Sequence, residues 1–143
     1  MDCGNCTKCC IFTKIQEFNS EPGEYCRHCI PDVGCNIYND RPESCCIYEC
    51  CWKQMEVTAE ELRPDRCGMM FEKWSDKVIV GVTDTGISEL AMNQINHFRE
   101  EGISILVINH KEKSKTFFLA PAHDIDFVKG EINGSTKLHR RSR

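Results

Sequence analysis

The sequence predicts an α+β protein in which an irregular, cysteine-rich region packs on a small β-α-β-β layer. Three observations lead there. Cysteine is segregated: all 12 lie between Cys3 and Cys67, and residues 68–143 have none. Charge changes at the same place, from 7 basic and 12 acidic side chains in the first 67 residues to 11 and 10 in the rest. Turn formers crowd the first part, whereas the long strand and helix patterns lie in the second. The expected organisation is a cysteine-cluster region at 1–67 and a small α/β layer at 68–130, the two forming one compact unit. A basic flexible tail follows at 131–143. A chain of 143 residues is one ordinary domain's worth.

In residues 1–52, Gly4, Pro22, Gly23, Pro31, Gly34 and Pro42 break the chain into short pieces. Arg41-Pro42 supports a turn that returns Cys45 to the cluster, ahead of a helix containing Ser44–Trp52. Thr58-Ala-Glu-Glu61 has a capping-box pattern, for one short helix that Pro64 stops. Lys77-Val-Ile-Val-Gly-Val82 is a β-branched strand and Asp84-Thr-Gly86 a turn. Ser88 is the N-cap of a helix from Glu89 to about Glu101, with Gly102 past its end. Ala91, Ile95 and Phe98 share one face of it, which points to the core. Ser104–Asn109 and Thr116–Ala120 are two further strands joined by a polar hairpin loop, His110–Lys115. Trp52, Phe71 and Trp74 are expected to be buried where layer and cluster meet, with Trp52 a lid over the cluster and Tyr38 in the packing.

Twelve clustered cysteines can be disulfides, metal ligands or reactive thiols. The N-terminus has neither a basic nor an apolar signal region, so the expected compartment is the reducing cytoplasm, where dense cysteine is more often metal-binding than oxidised. Spacing favours metal as well. Cys3-x2-Cys6-x2-Cys9-Cys10 and Cys26-x2-Cys29 place thiols where a tight turn can aim two sulfurs at one ion, about 2.3 Å from each. A turn-rich segment of this kind buries little apolar surface, so bound metal would supply its folding free energy, on the order of 10 kcal/mol for structural zinc. Thiolate-rich, oxygen-poor sites favour zinc, Cu(I) or iron–sulfur clusters. The CysCys adjacency departs from the bacterial ferredoxin run, which spaces its next cysteine three residues on and follows it with proline. It also suggests that Cys9 and Cys10 serve different ions.

Cys3-Gly-Asn-Cys-Thr-Lys-Cys-Cys10, Cys26-Arg-His-Cys29, Gly34-Cys-Asn-Ile-Tyr-Asn-Asp-Arg-Pro-Glu-Ser-Cys45 and Tyr48-Glu-Cys-Cys-Trp52 together form a long, specific pattern. It resembles the CxxCxxCC cysteine-cluster proteins, the YkgJ-like group of zinc- or iron-chelating domains. A weaker likeness continues through Arg63-Pro-Asp-Arg66 and Pro121-Ala-His-Asp-Ile-Asp126, covering about residues 3–130. The resemblance implies metal chelation through Cys3, Cys6, Cys9, Cys10, Cys26, Cys29, Cys35, Cys45 and Cys50. Cys46, Cys51 and Cys67 are additions to the family pattern, equally readable as ligands or as small buried hydrophobes. His28 is a further ligand candidate, read more simply as a hydrogen-bond donor to sulfur or a surface residue.

The expected function is therefore a non-enzymatic metal-chelating protein. It would hold two or three ions, zinc foremost, in a structural or metal-handling role, with a protein partner possible in either. Two alternatives stand beside it. One is a redox or iron-dependent enzyme using the surplus thiols of Cys45-Cys46 and Cys50-Cys51. The other is an iron–sulfur electron carrier. Gly-rich phosphate loops and the HExxH zinc-protease motif are absent, and the net charge of −4 argues against general nucleic-acid binding. The tail Lys137-Leu-His-Arg-Arg-Ser-Arg143 is the one segment that could touch RNA or an acidic partner. No stretch has the roughly 18 apolar residues of a membrane span. His110, His123, Asp124 and Asp126 could be assembled into a second site, but read more simply as loop residues that cap turns.

Overall fold

A computed structural model describes residues 3–54, 59–111 and 116–119. The chain is α+β, as its pattern predicts. The cysteine-rich part contains only short elements: α1 (Cys9–Phe12), a two-stranded hairpin of β1 (Cys29–Ile30) and β2 (Gly34–Cys35), α2 (Glu43–Ile47) and α3 (Cys51–Gln54). Next come α4 (Pro64–Cys67), β3 (Met69–Lys73), β4 (Val78–Thr83), α5 (Glu89–Glu100), β5 (Ser104–Asn109) and β6 (Thr116–Leu119).

Strands β3 to β6 form one sheet in sequence order. β4 and β5 run parallel, joined through α5, and the outer pairs are antiparallel. β3 was not expected, so the layer is β-β-α-β-β rather than β-α-β-β. Met69-Met70-Phe71-Glu72-Lys73 lacks β-branched residues, and its pairing with all of Ile79–Thr83 sets it in the sheet.

Alternation along the strands assigns the two faces. Met69, Phe71, Ile79, Ile105 and Val107 pack with Ala91, Ile95 and Phe98 of α5. Their neighbours Met70, Val80, Val82, Leu106 and Ile108 pack with Ile11 and Phe12 of α1 and with Tyr48. The sheet thus lies between α5 and the cysteine region, which explains why β4 is buried along its whole length. Full burial of each large apolar side chain contributes about 1.5–3 kcal/mol. The Ser88 hydroxyl accepts from the Ala91 N–H and caps α5 as expected.

Three expectations are corrected. Ser44–Trp52 is not one helix: α2 ends at Ile47, and Tyr48 is extended. The short helix expected ahead of Pro64 is present as a 3-10 turn, Glu60–Leu62, and Pro64 then starts α4, because proline at the first helical position gives up only an N–H that has no partner there. Trp52 and Phe71 are buried, but Trp74 is 38% exposed. Tyr38 is not core: it is 49% exposed, and its ring faces the Arg41 guanidinium 3.7 Å away. Thr58, Ala120, His123, Asp124, Asp126, most of the hairpin loop and the basic tail lie outside the described residues.

Candidate metal centre

None of the twelve cysteines is in a disulfide. Eight of them, Cys3, Cys6, Cys9, Cys10, Cys26, Cys35, Cys45 and Cys50, line one cavity of about 110 Å³. Local structure explains how they converge. The Cys6 N–H bonds the Cys3 carbonyl at 3.0 Å, closing the first turn. α1 sends Ile11 and Phe12 to the sheet while Cys9 and Cys10 line the cavity. The Cys26 N–H donates to the Cys10 carbonyl at 2.9 Å, docking the hairpin. In that hairpin Cys29 pairs with Cys35. Cys29 does not line the cavity, but its thiol hydrogen-bonds Cys10 and Thr7. Each of the nine cysteines implied by the resemblance therefore lines the cavity or bonds a thiol that does.

The three additional cysteines lie elsewhere. Cys46 is exposed, with its thiol 3.5 Å from the Arg41 carbonyl. Cys51 and Cys67 are buried in the core between the sheet and α5. Cys67 donates to the Met69 carbonyl at 3.1 Å. Helix geometry accounts for the splitting of Cys45 from Cys46, since successive side chains diverge by about 100°. Cys9 and Cys10 do not split: both line the cavity and hydrogen-bond each other.

The electrostatics centre on Cys9. Its charge is felt at Cys6, Cys10, Cys29, Cys45, Cys50 and Tyr48. A hydrogen bond from Cys10 holds the Cys9 thiol down at about 7, against the opposing effect of burial. The same bond, then burial, pushes Cys10 far up. Burial raises Cys6 to about 12, although backbone N–H groups of Lys8 and Asp65 oppose it. Burial also raises Cys29, Cys45 and Cys50. Most of these thiols are thus protonated at neutral pH.

Among the described residues, no carboxylate or imidazole lines the cavity; the charged ones that do are Arg41 and Lys53, which offset thiolate charge. Among the described residues, no three Cys, His, Asp or Glu side chains are already close enough together to hold an ion. The donor chemistry fits a soft ion, around which the thiols would have to close further than they do here. Trp52 does not serve as a lid: it is absent from the lining and donates its indole N–H to the Ala59 carbonyl at 3.3 Å. Tyr48 lines the cavity instead, with its hydroxyl 3.4 Å from Met70 Sδ. His28 is not in the lining; it takes a hydrogen bond from Arg27 at 3.2 Å and packs against Phe18. His110 stacks on Phe12 with ring centroids 5.9 Å apart, and burial lowers its pKa ahead of the opposing effect of Asp84.

Sequence reasoning missed Tyr48 and Lys53 as lining residues. Lys53 lies three positions after Cys50, the spacing that brings helical neighbours together, and that signal was available. No helix among the described residues is long and apolar enough to cross a membrane. No protein-family model, curated protein or solved structure matches this chain.

Proposed function

We propose that this chain is a cytoplasmic, non-enzymatic metal-chelating protein of the CxxCxxCC cysteine-cluster type, holding two or three ions, zinc foremost, in a thiolate cluster. The observation that carries the reading is the convergence of eight thiols on one cavity, with no carboxylate among the described residues that line it. Bound zinc would supply cross-links between the short elements of residues 3–54, a structural contribution that a closed thiolate site favours over catalysis. Cys9, central among the other thiols, is the best placed to be shared between ions. Arg41 and Lys53 reduce the net charge that accumulates as the thiols ionise.

Elemental mass spectrometry on untagged protein, purified anaerobically without added metal, tests this alongside a visible spectrum of the same sample. Two or three zincs per chain and no colour are expected. Iron with a sulfide-dependent visible band would replace the reading with iron chemistry or electron transfer.

A further inference from the structure

We propose that Arg63 and Asp65, far in sequence from the Cys3–Cys10 motif, form a clasp that positions Cys6 for the metal centre. The inference rests on the thiolate reading above and adds a part of the site that spacing does not reveal. Arg63 Nε donates to Asp65 Oδ1 at 2.7 Å and its Nη2 to Oδ2 at 2.8 Å, a two-pronged pairing. The pair is well shielded, with side chains only 12% and 14% exposed. Arg63 Nη2 also donates to Asn5 Oδ1 at 3.0 Å. Asn5 lies between Cys3 and Cys6, and its amide in turn donates to the Asp32 carbonyl of the β1–β2 turn at 3.2 Å.

The thiol itself is held from the same side. Cys6 Sγ accepts from the Asp65 backbone N–H, a bond a thiolate keeps, while the protonated Cys6 thiol donates to the Asp65 carboxylate, a bond that ends when the thiol ionises. Gly4 completes the fit: a Cβ there would stand 3.2 Å from Arg63 Nη1, on a backbone with φ of +54°. The first cysteine turn is thus seated between the hairpin and the start of α4. Outer partners of this kind orient metal ligands, and their loss costs about 10–100-fold in affinity. Arg63 and Asp65 are positioning residues, and neither lines the cavity.

Anaerobic Co(II) titration of the full metal-free chain tests the clasp, read by the sulfur-to-cobalt charge-transfer band. Wild type should fill two or three sites. Arg63→Gln should weaken one of them about 10–100-fold and leave the others tight. Arg63→Lys, which keeps the charge but not the fork, should fall between. A titration of Arg63→Gln identical to wild type overturns the clasp and leaves the metal reading standing. So does equal weakening of every site in step with a lowered melting temperature, which would mark a purely structural role. Uptake of no cobalt by wild type overturns both. Should Arg63→Gln fail to fold, the exposed Asn5→Ala carries the test, with a smaller loss expected at the same single site and an unchanged titration overturning the proposal.

Discussion

Two cysteines that are neighbours in sequence need not share an environment. Cys50 lines the thiol-rich cavity while Cys51 lies in the apolar core. Cys45 and Cys46 divide between cavity and solvent. Cys9→Ser, at the electrostatic centre of the site, is expected to remove at least one metal ion per chain, whereas Cys46→Ser should leave metal content unchanged; elemental analysis of the two variants distinguishes them. Protonation gives a second expectation. Burial raises Cys6 to about 12 and Cys51 to about 11 from the ordinary thiol value of 9.0. Stability gained from burying such neutral thiols is fully present below pH 9.0 and is lost as pH rises through these folded-state values. Denaturant midpoints of the metal-free protein should therefore fall between pH 9 and 11. For metal uptake the direction reverses, because ligation needs the thiolate: affinity should drop as pH is lowered, with protons released on binding.

The individual elements differ in how far sequence determines them. β4, α5 and β5 follow from β-branched runs, a Ser cap and apolar residues at helical spacing, and these were legible. β3 was not, because pairing rather than intrinsic preference makes Met69–Lys73 a strand. Likewise the break between α2 and α3 at Tyr48 comes from tertiary placement, since Tyr48 reaches Met70 on the sheet. Gly81 shows the pairing constraint directly. It stands opposite Phe71, and a Cβ there would come within 2.8 Å of Met69 Sδ. Gly81→Ala is expected to cost about 1–3 kcal/mol through overpacking, measured by chemical denaturation. Ile95→Ala on α5, fully buried, should cost about 2–5 kcal/mol by the opposite effect, a cavity.

At the scale of the whole molecule, the cysteine region forms one wall of the sheet's second core. Ile11 and Phe12 join α1, which lines the cavity, to Met70, Val80 and Val82. Lys8 adds an ion pair with Asp84 at 3.3 Å, just past the end of β4. Metal removal should therefore loosen residues 3–54 first and leave α5 with β4 and β5 protected; amide hydrogen exchange with and without chelator checks this. Local spacing alone marks Cys3, Cys6, Cys9, Cys10, Cys26 and Cys29 as ligand candidates, and Cys35, Cys45 and Cys50 join them only through the family resemblance. The contacts that seat them, such as Arg63 on Asn5 across 58 residues, depend on tertiary folding that no spacing encodes.

The placement of the three cysteines outside the cavity has a practical consequence. Cys46 meets solvent in the native state, whereas Cys51 and Cys67 meet it only when the core between the sheet and α5 opens. An alkylating reagent should therefore mark the chain in a fixed order: Cys46 at once, the cavity thiols as metal leaves, and Cys51 and Cys67 last. A mass spectrum of the labelled peptides would then separate metal loss from global unfolding within one sample, with the protein's own sulfur atoms as the clock.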